Sequence, residues 1–300
     1  MFFYYLYGLT IRSELSLPVL LPCEKIQNTY DVEIKYSSLS NDIAKSISLG
    51  NMMGFGEQIS WLNTEYGTFV ITCGNQISIN AAPDAEVWQL RPFVLGFGFA
   101  TLFQQRGIPA FHCSTISFHE KACLFSGLSG AGKSTTTAVF MEKGALMMAD
   151  DMVVTPQIDG TFYALPAYPQ QKLCEDAVKR QGYSTSVLSV IDEERNKYAV
   201  PCIDHFCNKP QPICAFFYLE PSDVSQVFVE RVSTKDTLNL ITQNLFLSIS
   251  LRITGIPNSY LIPCIHFSQT VPVYRVLRPR DNRDTTIELF QKISRILDTL

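Results

Sequence analysis

The sequence predicts an α/β protein. A small, mainly antiparallel β-rich domain over 1–90 leads through a connecting helix over 91–107 into a larger domain over 108–300, a mixed sheet with helices that ends in an amphipathic helix. Three observations carry that prediction. Short β-rich runs separated by polar turns fill the chain up to about residue 85. Beyond residue 107, apolar strand-like runs alternate with helical patterns, the mark of layered α/β architecture. A glycine-rich segment over 127–134 stands between one such strand and one such helix. The length of 300 residues agrees with one large domain or two modest ones.

In chain order, the β-rich runs are 4–11, 30–36, 68–73 and 76–80. Gly74-Asn75 reads as a two-residue hairpin turn, with glycine supplying the positive φ such a turn needs. Apolar residues are dense over 92–105. Pro92 suits a first helical turn, and Gly107 after Arg106 suits a C-terminal stop. Gly96 and Gly98 within that stretch each cost about 1 kcal/mol relative to alanine unless close packing requires them. The second half carries strand-like runs at 112–118, 122–126, 145–149 and 213–219. At the end, Ile287, Phe290, Ile293, Leu297 and Leu300 recur at helical spacing, and Thr285-x-x-Glu288 reads as a capping box.

Composition excludes several classes. With 46% hydrophobic and 17% charged residues, the chain lies far from the disordered corner. Twenty-four basic residues against 28 acidic ones, a formal charge of −4, offer no broad positive field, so nucleic acid is not expected as a partner. The longest apolar run, 92–103, falls short of the roughly 20 residues that cross a bilayer, so no membrane partner is expected. The N-terminal Met1-Phe2-Phe3-Tyr4-Tyr5 has no basic flank and no small-residue cleavage site after it, and reads as a strand rather than a signal peptide. Nine cysteines without a C-x-x-C pair point to reduced thiols and a cytoplasmic location. Cys202, His205, Cys207 and Cys214 could close a tetrahedral zinc site or serve as small buried hydrophobes, and their spacing fits no common zinc pattern.

The segment Gly127-Leu128-Ser129-Gly130-Ala131-Gly132-Lys133-Ser134-Thr135 satisfies G-x-x-x-x-G-K-[ST], with an apolar strand before it and a helix after it. The glycines let the backbone wrap closely, so that N–H groups from Ser129 to Ser134 point at phosphate oxygens at a helix N-terminus. Lys133 then reaches the β- and γ-phosphates of ATP, and the Ser134 hydroxyl faces Mg²⁺. Seventeen residues beyond Lys133, a short apolar run ends in Asp150-Asp151. A strand returning beside the glycine-loop strand brings both carboxylates to the same edge, where one can hold the metal and the other can take a proton from an attacking hydroxyl. Adjacent carboxylates repel, which raises the proton affinity of one of them. His112, fifteen residues before Gly127, is by itself more often a packing residue than a catalytic one, and His119 lies in a surface turn.

Taken together, His112, the glycine-rich loop and the double aspartate resemble the HPr kinase/phosphorylase catalytic domain over about 107–220. More loosely, the whole chain resembles the related kinases that phosphorylate the C-terminal serine of lasso-peptide precursors. The resemblance implies that Gly127, Ser129, Gly130, Ala131, Gly132, Lys133, Ser134 and Thr135 cradle ATP, that Lys133 neutralises the transferring phosphoryl group, and that Ser134 and Asp151 bind Mg²⁺. It also implies that Asp150 is the general base for an acceptor serine, supported by Asp151 and His112. The Glu-x-Arg-Gly-x-Gly signature of the reverse, phosphorolytic reaction is missing from 165–182, which argues against phosphorylase activity and against HPr as the acceptor.

Three readings of function share these residues: a serine kinase acting on a ribosomal peptide, a kinase of an HPr-like protein or small metabolite, and a nucleotide-gated binding or assembly module. Asn208-Lys209-Pro210-Gln211 lacks the aspartate that reads guanine, which favours ATP. Lys172 and Lys197 are either phosphate- or acceptor-facing cations or solvated surface lysines. Arg275, Arg278, Arg280 and Arg283 either meet phosphate or an acidic peptide terminus, or form a solvated loop with Asp281 and Asp284. The N-terminal domain either grips the acceptor or makes homo-oligomer contacts, or else caps the core.

Overall fold

The computed structural model describes residues 1–24, 29–180, 182–192, 197–280 and 284–300. The chain forms two units, Met1–Ala110 with Phe246–Pro263, and Phe111–Leu245 with Cys264–Leu300. The stretch 246–263, expected within 108–300, joins the N-terminal unit because its backbone and side chains bond there. The Phe246 N–H donates to the Ala110 carbonyl at 2.9 Å, and the Ala110 N–H donates to the Tyr260 hydroxyl at 2.9 Å.

In the first unit, β1 (Phe2–Leu6), β2 (Leu9–Ser13), β3 (Leu21–Pro22), β4 (Val32–Tyr36), β5 (Met53–Gly54), β6 (Ile59–Thr64), β7 (Gly67–Thr72) and β8 (Gln76–Ala81) make one sheet. Its order is β3-β1-β2-β4-β8-β7-β6-β5. The pairs β2·β4 and β4·β8 are parallel and the others antiparallel, so the sheet is mainly antiparallel, as its alternating runs predict. The run expected over 4–11 is instead a hairpin, because Tyr7 and Gly8 both take left-handed φ values, 51° and 73°. The turn between β7 and β8 has three residues rather than two. Cys73 and Gly74 have φ of 50° and 64°, and the Asn75 N–H returns to the Thr72 carbonyl at 3.1 Å.

Helix α1 (Asn41–Ser48) is capped by Ser40, whose hydroxyl accepts from the Ile43 N–H. The helix expected over 91–107 begins earlier, as α2 (Val87–Phe93), widens into a π-turn at Val94–Gly98, and continues as α3 (Phe99–Gln105). Glu86 starts it with a capping box closed by Gln89, which leaves Pro92 inside the helix, where its missing N–H precedes the widened turn. The two helical glycines answer to packing. A Cβ on Gly98 would stand 3.1 Å from Ile77, and one on Gly96 would stand 3.5 Å from the Phe246 ring.

The junction strand β9 (Ala110–Phe111) leads into the second unit. Its strands are β10 (Cys113–Phe118), β11 (Lys121–Ser126), β12 (Leu146–Ala149), β13 (Val153–Val154), β14 (Gln157–Ile158), β15 (Thr161–Ala164), β16 (Gln170–Cys174), β17 (Ser189–Asp192), β18 (Lys197–Pro201), β19 (Gln211–Ser222), β20 (Phe228–Arg231) and β21 (Val273–Pro279). The helices from here on are α4 (Lys133–Glu142), α5 (Glu175–Arg180), α6 (Thr234–Gln243), α7 (Ser248–Thr254, in the first unit), α8 (Asn258–Thr270, its second half in this unit) and α9 (Thr286–Leu297). The main sheet runs β12-β10-β11-β19-β15-β14, and β21 also pairs with β19 and carries β20. Strands β11, β19 and β21 are mutually parallel, while β10 is antiparallel to both β11 and β12. A mixed α/β layer results.

Five of the six residues of β11 are buried, as befits a strand covered on both faces. On one face Phe125 and Phe217 stack with centroids 5.6 Å apart, and Phe140 of α4 meets Phe125 at 5.5 Å and Phe290 of α9 at 4.8 Å. On the other face Phe267 of α8 meets Phe111 at 4.8 Å and Phe162 at 5.0 Å. Helix α9 buries Leu289 and Ile293, with Phe290, Ile296 and Leu297 packed beside them, but Ile287, expected on that stripe, is 70% exposed. The capping box expected at Thr285 does not form. The Glu288 carboxylate accepts instead from the Val227 N–H at 3.1 Å and pairs with Lys292. A separate small sheet, β16-β18-β17, rests on Leu173, Val178 and Val200. Among the described residues no helix is long and apolar enough to cross a membrane.

Candidate active site

The glycine-rich loop connects the buried end of β11 to the start of α4. Gly127 has φ 143°, and a Cβ there would stand 2.5 Å from the Leu219 carbonyl oxygen, so only glycine lets the chain leave the strand so close to β19. Gly130 and Gly132 have φ of 81° and 100°, again in the left-handed region. Gly132 is the N-cap of α4, and its carbonyl accepts the first helical bond from the Thr136 N–H at 2.8 Å. The N–H groups of Lys133, Ser134 and Thr135 therefore belong to the first turn, where a helix provides no internal acceptors and favours an anion. Not every amide of the loop faces outward. The Ala131 N–H turns inward onto the Leu128 carbonyl at 3.0 Å, contrary to the expectation that the whole run from Ser129 to Ser134 points at phosphate. Ser129 and Gly130 are exposed. Lys133 folds back over the loop, its Nζ donating to the carbonyls of Gly127 at 2.7 Å and Leu128 at 3.3 Å.

Sequence alone did not foresee the support beneath this loop. Arg278, on β21, donates from Nη1 to the Ala131 carbonyl at 3.1 Å and from Nη2 to the Thr285 hydroxyl at 3.3 Å. A Cβ on Gly132 would collide with that guanidinium. Of the other arginines singled out, Arg275 pairs with Glu220 at 3.5 Å and Glu230 at 4.0 Å, and Arg280 pairs with Asp223 at 3.7 Å, while Arg283 lies outside the described residues.

The two aspartates sit at the end of β12, but β12 does not lie beside β11 as expected. β10 intervenes, antiparallel to both, so β11 and β12 still end at the same edge of the sheet. Two strand spacings of about 4.8 Å separate them by about 10 Å. His112, immediately before β10, bridges the gap. Its carbonyl oxygen and the Asn244 Oδ1 each lie 2.8 Å from the Ser126 hydroxyl, which can donate to either one, and its Nδ1 stands 3.5 Å from Asp151 Oδ1. The His112 N–H donates to the Asn244 carbonyl at 2.8 Å. His119, in the left-handed turn between β10 and β11, stacks on Phe118 in keeping with its surface reading.

Asp150 is held at both oxygens. Oδ1 accepts from the Ser114 hydroxyl at 2.8 Å, and Oδ2 accepts from the Lys172 backbone N–H at 2.7 Å. Each carboxylate oxygen keeps a second lone pair for a further donor. Burial raises its pKa; the Lys172 N–H and the Ser114 hydroxyl pull the other way, and the neighbouring Asp151 adds a smaller push upward. The repulsion between the two carboxylates, the cause the sequence suggested, acts in the expected direction but is secondary to burial. Asp151, at φ 91°, carries a backbone strain of about 1–3 kcal/mol for a residue other than glycine. That conformation turns its carboxylate onto Lys172, with Oδ2 2.8 Å from Nζ.

Lys172 is accordingly no solvated surface lysine. Alternation along β16 buries Gln171 and Leu173 on one side and sends Lys172 to the other, toward the aspartates, where it is 24% exposed. Burial pulls the pKa of its ammonium down, but Tyr168, Asp151 and Asp150 outweigh that and hold it above the ordinary lysine value. The side chain of Lys197 lies outside the described residues. The zinc reading fails among the described residues, where no cluster of three or more potential ligands occurs. The Cys214 Sγ sits 3.4 Å from Cys123, whereas Cys202 meets Met147 and Cys207 meets the Lys209 carbonyl.

No protein-family model matches the sequence, and no curated protein matches it either. Among solved structures, the Hpr(Ser) kinase/phosphatase from Coxiella burnetii aligns with a TM-score of 0.33 and 11% identity, over 64% of this chain and 99% of that one. So slight a likeness carries no chemistry to these residues.

Proposed function

We propose that the protein transfers the terminal phosphate of ATP to a hydroxyl. Its acceptor is a serine of a peptide and, following the resemblance of its motifs, the C-terminal serine of a lasso-peptide precursor. One observation supports this reading above the others: a single sheet edge carries a glycine-rich, helix-capping loop and, two strands away, a carboxylate whose proton affinity burial has raised. The first suits a polyphosphate and the second suits a group that takes a proton, which is what supports the reading.

In the transfer, the acceptor oxygen forms a bond to the γ-phosphorus while the bond from that phosphorus to the β,γ-bridging oxygen breaks and ADP leaves. The hydroxyl proton goes to Asp150. Its two fixed hydrogen bonds orient the carboxylate and leave lone pairs for that proton. Lys133 exchanges its loop carbonyls for phosphate oxygens and follows the charge spreading over the transferred group. Lys172 holds Asp151 in place and keeps the paired carboxylates from repelling an incoming polyanion. Mg²⁺, when bound, neutralises charge shared by the terminal phosphates. A hydroxyl and a carboxylate, Ser134 and Asp151, suit a hard cation that takes its remaining ligands from water and phosphate.

The test incubates the protein and Mg·ATP with a synthetic peptide ending in serine and weighs the product. A gain of one phosphate, lost on replacing the terminal serine with alanine, is expected. An unmodified peptide beside steady ATP hydrolysis would overturn the peptide-kinase reading.

A further inference from the structure

We infer that the nucleoside half of ATP occupies the cavity between the end of β19 and helix α6, on the far side of the glycine-rich loop from the aspartates. This rests on the phosphotransfer reading and extends it to how the base and ribose are held.

Direction comes from the order of strands. The loop leaves β11, with β10 and β12 on one side and β19 and β21 on the other. A γ-phosphate that faces Asp150 lies toward β12, so the α-phosphate and the nucleoside beyond it must leave over β19. There the structure has a cavity of about 430 Å³, walled by the 218–221 stretch of β19, by α6 and by Leu128 of the loop itself. Small-molecule pockets typically measure about 300–1,000 Å³. Leu128 belongs to the glycine-rich loop, so the cavity borders the proposed phosphate site.

The lining chemistry suits a neutral, polar ring system rather than a second anion. Its two cations are already matched, Arg275 by Glu220 and Glu230 and Arg280 by Asp223, and Asp236 adds a further carboxylate. Of these acids Glu220 and Asp236 line the cavity itself, where they repel phosphate but accept hydrogen bonds from the vicinal hydroxyls of a ribose. Asn239 and Gln243 stand one helical turn apart on the cavity face of α6, joined by a bond from Gln243 Nε2 to Asn239 Oδ1 at 3.0 Å. Side-chain amides offer donors and acceptors without charge, which is what the edge of a purine presents in return. Leu128, 74% exposed, and Leu240 supply apolar surface for the faces of the ring. A leucine so exposed at the tip of a glycine-rich loop has a purpose if a base covers it.

The experiment titrates the full-length protein with Mg·ATP and, separately, with Mg·tripolyphosphate, which lacks the nucleoside. Wild type is expected to bind ATP at least about tenfold more tightly. The double variant Asn239→Ala, Gln243→Ala is expected to lose about tenfold in ATP affinity with tripolyphosphate binding unchanged. Leu128→Ala, which trims only the exposed side chain and adds no charge beside the phosphates, is expected to weaken ATP in the same selective way, and thermal unfolding checks that both variants fold. ATP affinity left intact in both variants, or tripolyphosphate weakened in step with ATP, would overturn the assignment while leaving phosphotransfer standing. A wild-type protein that binds neither ligand would overturn the phosphotransfer reading and this inference with it.

Discussion

Replacing Asp150 with asparagine separates the chemistry of that position from its structural role. Asp150 accepts two hydrogen bonds, from the Ser114 hydroxyl and from the Lys172 N–H. An asparagine in the same pose keeps the Lys172 bond at its oxygen and donates from its NH₂ to Ser114, whose hydroxyl rotates to accept. Both bonds survive, so the change in stability from hydrogen bonding stays within about 1 kcal/mol. Charge acts in a known direction. Because burial raises its pKa, folded Asp150 holds its proton more tightly than the unfolded chain does, and its contribution to stability falls as pH rises from the ordinary aspartate range through the raised value. Asp150→Asn removes that loss. At neutral pH the variant should melt at or above the wild-type temperature, and the difference should vanish below the ordinary aspartate range. Turnover, in contrast, should fall by about 10²–10⁴, or roughly 3–5 kcal/mol of barrier, with Mg·ATP affinity nearly unchanged. Phosphate transfer to a peptide ending in serine, calorimetric titration with Mg·ATP, and thermal unfolding from acid to neutral pH read all three. Wild-type turnover in the variant, or a parallel loss of ATP affinity, would refute the role of Asp150 as base.

The same site yields further expectations. The pH–rate profile of the wild type should rise through an acidic limb above the ordinary aspartate range, because the base must be deprotonated and burial raises its pKa; a rate already at its plateau in that range would contradict this. Lys172→Met leaves Asp151 without its 2.8 Å partner in a half-buried setting, so chemical denaturation should show a loss of about 1–3 kcal/mol. It also removes a charge that favours ionised Asp150, so the acidic limb should move to higher pH. Gly127→Ala puts a Cβ 2.5 Å from the Leu219 carbonyl at φ 143°, which should cost about 1–3 kcal/mol of stability and most of the ATP affinity. Arg278→Ala frees the Ala131 carbonyl and should weaken Mg·ATP about three- to tenfold in a titration; an unchanged Kd would show that the loop needs no support from β21.

What was legible in the sequence follows the range of the forces involved. Local forces show in local patterns, so the glycine-rich loop, the strands around it and the closing helix all stand close to where their residues predict. The hairpin at Tyr7-Gly8 was hidden because a tyrosine, which rarely takes positive φ, shares the turn with the glycine. Pro92 suggested the wrong helix start, since proline favours a first turn, yet Glu86 and Gln89 already provided a cap upstream. Long-range partners were the least visible. Asp150 and Asp151 could be located as a pair, but nothing local to them names Ser114, Lys172 or the strand β10 that stands between them and the loop. The alternation of β16 was the one available signal for Lys172, since flanking residues of apolar or amide type point away from it. Arg278 stood out only as one member of a basic run, and nothing local pointed to Ala131, because that contact spans 147 positions of the chain.

A structure of the protein with Mg²⁺ and a non-hydrolysable ATP analogue tests the central claim most directly. The account predicts the β- and γ-phosphates against the N–H groups that open α4, Lys133 Nζ released from the Gly127 and Leu128 carbonyls onto phosphate oxygen, and the γ-phosphate turned toward Asp150. An analogue bound elsewhere, or one at the loop with its γ-phosphate directed over β19 and away from the aspartates, would contradict it.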